Sequence, residues 1–113
     1  MQQVLGHCID NERVFGHRAA RFAANDETPQ PGYDQDAAVA AFDYTGVSLP
    51  DLLAEFTALR RSHDLFFARL SPRQWSATGL ADGRPMSVRA VAYLQVGHLR
   101  HHVAILRERI ETS

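Results

Sequence analysis

Hydrophobic residues recur every three or four positions in three stretches of the chain, which is the spacing of amphipathic helices. No stretch alternates strictly between apolar and polar residues as a half-buried strand does, so the pattern predicts an all-α fold. We expect the long helices at residues 2–24, 49–70 and 88–110, with a shorter Ala-rich helix at 35–44 and a single turn at 71–75.

Turn and capping residues separate the predicted helices. Prolines, a glycine and several acids make 25–34 a loop, and the stretch TGLADGRP at 78–85 is expected to be another. Ser48 can accept the free backbone N–H groups at the start of the second long helix, where Pro50 in the first turn costs no hydrogen bond. Ser87 is expected to cap the third helix in the same way.

Three long helices predict an up-down bundle from which one packing partner is missing, because the pattern contains no fourth long helix. The sequence begins almost directly on the first periodic segment. We therefore expect either an upstream segment or a second copy of the chain to complete the packing, and we take a homodimer as the prediction.

Composition limits the class of protein. A length of 113 residues predicts a single domain at 1–113, and 45% hydrophobic with 22% charged residues is ordinary for a globular chain. The net charge of −1 argues against a nucleic-acid binder. The longest apolar run, at 37–42, is far too short for a membrane helix, and the first residues do not resemble a signal peptide. With one cysteine the chain can form no internal disulfide, so we expect a cytoplasmic protein without a membrane partner.

Two histidines on the third predicted helix have the spacing of a helical metal site. His98 and His102 are four residues apart, so their Cβ atoms lie about 5–6 Å from each other on one face. They continue a stripe formed by Val88, Val91, Gln95 and Ile105, which is expected to be buried. Both imidazoles can therefore reach one ion, while His101 points about a quarter turn away and is expected to be solvated or to support a ligand.

A third ligand has to come from another helix, and His7 is the best candidate because it lies beside the apolar stripe of the first helix. Asp10 and Glu12 follow it and can orient an imidazole through its free N–H, as can Gln95 on the third helix. The alternative is that these histidines are simply packed or solvated, and residue spacing alone leaves the two interpretations about equal.

Four further residues receive weaker interpretations. His63 is either a core histidine or a ligand, and His17 lies among arginines on a predicted surface. Cys8 is expected to be a small buried hydrophobe, with a thiol nucleophile as the minority alternative. Trp75 is expected to close one end of the bundle, the alternative being a residue that stacks on substrate.

Several segments in the same order resemble the DinB-like superfamily of metal-binding four-helix bundles. They are GHCIDNERVFGHRAARFA, PGYDQD, LLAEFTALRRSHDLFFARL and SVRAVAYLQVGHLRHHVAILRER. The resemblance covers essentially the whole chain and is most specific in the opening GH and the closing GHLRHH. Members usually begin with a further helix, so this chain resembles their last three.

The resemblance implies a three-histidine site for a divalent transition metal, commonly zinc or nickel, with His7, His98 and His102 as ligands. It also implies a function: some members resemble thiol-dependent S-transferases or isomerases, in which a low-molecular-weight thiol takes part, and hydrolysis is a related use of such a site. The substrate is an unknown small molecule. The alternative from another class is a non-catalytic helical module for interaction or dimerisation, with structural histidines.

Overall fold

The structure, a computed structural model, describes residues 1–112, and the side chains among them up to Ile105 together with those of Arg107 and Glu108. It is mostly helical. In chain order the elements are α1 (Gln2–Ala23), α2 (Gln35–Phe42), a 3-10 turn (Tyr44–Gly46), α3 (Leu49–Ala68), α4 (Pro72–Ser76), β1 (Thr78–Ala81), β2 (Arg84–Ser87) and α5 (Val88–Thr112).

The helix starts predicted from capping residues are confirmed. The Ser48 hydroxyl accepts the backbone N–H of Asp51 at 3.2 Å, and the Ser87 hydroxyl accepts that of Ala90 at 3.0 Å. At α4 the hydroxyl of Ser71 and the side chain of Gln74 each satisfy the other residue's backbone N–H, which forms a complete capping box. The three long helices lie within about two residues of their predicted bounds, because apolar periodicity and caps act locally.

The loop expected at 78–85 is wrong, because this segment belongs to an antiparallel hairpin. Strand β1 pairs with β2 from Thr78 opposite Ser87 to Ala81 opposite Arg84. The two-residue turn is Asp82-Gly83 with φ of 53° and 74°, the conformation that matches the twist of two paired strands. Four-residue strands are too short to show alternation, so the Asp-Gly pair was the only signal in the sequence.

Helix α1 lies between α3 and α5 and packs against both far more extensively than those two pack against each other. At one end its Phe22 is fully buried with Val88 and Val91 of α5, next to the hairpin residue Ala81. Toward the other end Ile9 and Leu5 pack with Leu52 of α3. Two apolar clusters on the α1 stripe therefore hold the three long helices together.

The outer faces of α3 and α5 are open. Leu53 and Leu65 of α3 are 53% and 55% exposed. Among the described side chains of α5, Tyr93 is the most exposed large apolar residue, at 79%. No other element among the described residues covers these side chains, and the expected packing partner stays a prediction. No helix in the described part of the chain is both long and apolar enough to cross a membrane.

Candidate metal centre

Three histidines from two helices meet at one end of the α1–α5 interface. The Nε2 atom of His98 lies 2.8 Å from Nε2 of His7 and 3.1 Å from Nε2 of His102. One nitrogen from each of the three rings lies within 4.8 Å of the other two, and all three residues are half-buried. His98 and His102 are neighbours because of helix periodicity, whereas His7 lies beside them because α1 packs along α5.

Hydrogen bonding alone cannot satisfy this arrangement. An imidazole Nε2 atom carries either one hydrogen or one lone pair, so Nε2 of His98 can form a good hydrogen bond with only one of its two close neighbours. A cation instead accepts all three lone pairs. With nitrogen–metal bonds of about 2.0–2.1 Å at angles near 90–110°, neighbouring nitrogens lie about 2.9–3.4 Å apart. Two of the observed separations, 2.8 and 3.1 Å, are close to that range, whereas His7 and His102 lie farther apart, within 4.8 Å. The three residues are of the right type and near enough to hold one metal ion after a small movement of the His7 or His102 side chain.

The protonation states also suit a cation. Burial, together with the neighbouring His102 and His7, lowers the pKa of His98 to about 4. Burial and the nearby His7 also lower the pKa of His102. Both rings are therefore neutral at pH 7 and can offer lone pairs, which is the form in which histidine binds metals.

A cleft of about 420 Å³ opens beside the three histidines. His7 and His102 form part of its wall, and α2 forms the opposite side with Gln35, Asp36, Val39 and Ala40, while Gln3 and Val4 complete the lining. Helix α2 is held in this position because the Asp34 side chain caps it and the helix packs against α1. A small molecule can therefore reach the histidines from the α2 side.

Glu12 was expected to orient a ligand, but the structure gives its buried carboxylate other partners. It accepts hydrogen bonds from Arg60 at 2.8 Å, from Nδ1 of His63 at 2.6 Å and from the Gln95 amide at 3.1 Å. Burial raises the pKa of Glu12, but the bonds from His63 and Arg60 outweigh this and hold it below its usual value. Glu12 thus ties α1 to both α3 and α5, and Gln95, the other supporting candidate on α5, belongs to the same network.

The ring of His63 can approach α1 only because residue 16 is glycine. A Cβ atom at Gly16 would lie 2.1 Å from Nε2 of His63. His63 is therefore fixed between the Glu12 carboxylate and the α1 backbone, away from the three clustered histidines. Of its two sequence interpretations, this position agrees with the core histidine.

Asp10, the other carboxylate expected beside His7, accepts a hydrogen bond from the hydroxyl of Tyr44. A Cβ atom at Gly6 would lie 2.1 Å from the Tyr44 ring, so this glycine lets the ring lie directly on α1 and reach Asp10 one turn later. The second carboxylate oxygen of Asp10 and Nδ1 of His102 are buried without a hydrogen-bond partner among the described residues. No sequence pattern pointed to Tyr44 as the partner of Asp10, because it lies 34 positions away in a short 3-10 turn.

The remaining candidates lie outside the cluster. His101 is exposed and contacts the edge of the His102 ring, with ring centres 5.3 Å apart. His17 is on the surface, and its ring accepts a weak 3.4 Å hydrogen bond from Arg21. Trp75 stacks on Phe67 of α3 with ring centres 5.5 Å apart, as expected for a residue that closes one end of the bundle.

Cys8 follows His7 on α1, but its thiol points into the protein interior. The residue is 4% exposed, and burial, together with the charge of Glu12, raises its pKa to about 11. A thiol with this pKa is almost wholly protonated at pH 7 and is a poor nucleophile or ligand. The position agrees with a small buried hydrophobe.

Comparison with known proteins gives one match. No curated protein and no solved structure gave a significant match to the chain. The sequence profile of the DinB superfamily, however, matches residues 1–106, which include all three clustered histidines, the whole of α1 and most of α5. The resemblance seen in the sequence is confirmed at the level of the family, and the chain belongs to the DinB superfamily.

Proposed function

We propose that His7, His98 and His102 bind one divalent transition-metal ion, zinc or nickel, and that the chain is a metal-dependent enzyme. The observation that carries the proposal is the convergence of three imidazoles in which Nε2 of His98 lies 2.8 and 3.1 Å from Nε2 of the other two, an arrangement that hydrogen bonds alone cannot satisfy. Membership of a superfamily generally associated with metals supports it.

A divalent ion with three neutral ligands keeps its full double charge and lowers the pKa of a bound water or thiol toward neutrality. This is the chemistry required by thiol-dependent S-transfer or isomerisation, with a low-molecular-weight thiol as co-reactant, and by hydrolysis. In the protein, His7 and His102 present the site to the cleft, while the α1–α5 interface shields the opposite side.

The cleft favours a neutral or cationic small molecule over a polyanion. Among the described residues that line it, Asp36 carries a negative charge and none is an arginine. Gln3 and Gln35 offer hydrogen bonds, and Val39 offers a small apolar surface. A polar, uncharged or amine-bearing substrate therefore matches the wall provided by α2.

Metal analysis of untagged protein tests the proposal. We expect the protein to hold about one equivalent of zinc or nickel after dialysis against a buffer that contains trace amounts of the metal. The variants His98→Ala and His102→Ala should lose this metal. His101→Ala is the matched control, since it removes an exposed imidazole on the same helix turn and should keep the metal. Less than about a tenth of an equivalent of any transition metal in the unaltered protein contradicts the proposal.

The second candidate function is a non-catalytic helical interaction module, and the open outer face of α5 is the observation that favours it. The two candidates differ in what metal does to the fold. If His102→Ala has the same thermal stability as the unaltered protein, with and without added zinc or nickel, the histidines bind no stabilising metal ion and the interaction module is the better interpretation.

A further inference from the structure

The outward side of α5 carries a second regular pattern, separate from the histidines. Its members lie alternately four and three residues apart, and we call them the outer seam: Arg89, Tyr93, Val96, Arg100, Val103 and Arg107. All six are exposed. At 100° per residue the outer seam lies roughly 150° around the helix from the histidines. Spacing of this kind is what one helix presents to another in a coiled coil.

Two adjoining open cavities follow the outer seam, and together we call them the groove. One cavity of about 610 Å³ runs from Arg89 past Trp75 and Tyr93 to Arg100, and a second of about 580 Å³ runs from Arg100 to Glu108. Arg100 lines both. From Arg89 to Arg107 the helix rises about 27 Å, which is more than a small molecule spans and equals about five helical turns. The shape therefore favours an elongated occupant.

The charge of the outer seam restricts which helix can pack there. Arg89, Arg100 and Arg107 contribute three positive charges, against one carboxylate, that of Glu108, at the end of the second cavity, and the apolar contacts come from Tyr93, Val96 and Val103. If a second copy packed antiparallel on the same seam, Arg89 would face Arg107 of that copy. If it packed parallel, each arginine would face its own equivalent. Like charges in apposition oppose such pairing, whereas carboxylates on a different helix would stabilise it.

We infer that the outer seam of α5 docks an amphipathic helix of another protein, one that presents leucine-like side chains flanked by glutamates or aspartates. The apolar side chains pack around Val96 and Tyr93, and the carboxylates pair with the three arginines. This site is separate from the histidine cluster and does not depend on a metal.

Two designed peptides test the proposal. Both are helices of about three heptads with leucine at the inward positions, and the flanking positions carry glutamate in one and lysine in the other. Trp75 is the chain's single tryptophan and borders the groove, so its fluorescence reports occupancy directly. We expect the glutamate peptide to bind the full chain at least about tenfold more tightly than the lysine peptide, with the preference decreasing as salt is added.

Substitutions assign the binding to the outer seam. Arg100→Glu with Arg107→Glu should weaken the glutamate peptide by about tenfold or more, and Val96→Glu should do the same. Arg61→Glu and Leu65→Glu are the matched controls, because both residues are exposed on α3 away from the groove. All these positions are exposed, and circular dichroism checks that each variant is folded.

Four outcomes overturn the inference. Equal affinity for the two peptides would show that charge does not decide binding. An unchanged affinity for the glutamate peptide after Arg100→Glu with Arg107→Glu would show the same. A chain that is dimeric in analytical ultracentrifugation and becomes monomeric on Val96→Glu assigns the outer seam to a second copy. Binding to anionic lipid vesicles that depends on the same arginines, without peptide binding, assigns it to a membrane surface.

Discussion

The two sides of α5 have the same heptad-like spacing but opposite environments. The inner stripe, Val88, Val91, Gln95, His98, His102 and Ile105, packs toward α1 and contains the histidines. The outer seam has arginines where the inner stripe has buried polar groups, and it faces solvent. The spacing of residues along a helix therefore indicates which face can form a contact surface. The chemistry of the polar residues on that face indicates what it can bind. Imidazoles suit a metal ion, and arginines suit carboxylates.

The largest expected effect compares one valine from each side. Val91→Asp places a carboxylate at a fully buried position, and we expect it to lower the free energy of unfolding by more than about 3 kcal/mol. Val96→Asp makes the same change at a 39% exposed position and should stay within about 0.5 kcal/mol. Urea denaturation of both variants checks this, and equal losses would mean that the outer seam is also buried in solution.

The next effect is stabilisation by metal. An ion that binds only the folded chain adds about 2.7 kcal/mol to the free energy of unfolding at a free concentration of 100 times its Kd. We expect zinc or nickel to raise the denaturation midpoint of the unaltered protein and of His101→Ala, but not that of His102→Ala. A midpoint of His102→Ala that rises as much as that of the control contradicts the role of the inner stripe in metal binding.

Glu12→Gln tests the polar contact between the inner stripe and α1. The folded-state pKa of Glu12 is lowered, so its ionised form stabilises the fold above the unfolded value near 4.3, and this contribution is lost as pH falls through the folded pKa. We expect Glu12→Gln to be about 2 kcal/mol less stable at pH 7. The difference should shrink at acidic pH, as measured by denaturation from pH 7 to 3. A difference independent of pH would show that packing rather than charge is lost.

The smallest effect concerns the outer seam alone. Arg100→Glu changes an exposed side chain, and we expect the free energy of unfolding to change by at most about 0.5 kcal/mol, with no change in metal content. The one property that should be lost is the preference for the glutamate peptide over the lysine peptide. A decrease in bound metal on Arg100→Glu would show that the two sides of α5 are coupled.

Much of the local structure was predictable because its causes lie close together in the sequence. Ser48, Ser71 and Ser87 mark helix starts through hydrogen bonds to residues three positions away. The hairpin was missed because its strands are only four residues long, which is too short to show alternation. The Asp82-Gly83 pair was the one sequence signal for its turn. The exposed Leu53 shows that periodicity defines an apolar face without showing how wide the covered part of that face is.

The candidate site divides along the same line. His98 and His102 share a face by periodicity alone. His7 was the best third candidate because it lies beside the apolar stripe of the first helix, and the family resemblance implies the same residue. The roles expected of Asp10 and Glu12 differ from those observed, because their partners are Tyr44 on one side and Arg60 and His63 on the other. Those contacts require Gly6 and Gly16, which let a ring approach the α1 backbone. Sequence spacing does not show which aromatic or imidazole rings pack against the α1 backbone at these two glycines.

By itself, the sequence determined the helices, their caps, the register of the two histidines on α5 and the membership of a family. Each of these depends on residues within a few turns of one another or on a pattern read along the chain. Only the tertiary structure decided that Nε2 of His7 lies 2.8 Å from Nε2 of His98 and that Glu12 joins three helices. It also decided that the outer seam of α5 is exposed. These depend on how helices cross, which is set by close packing between residues far apart in the chain.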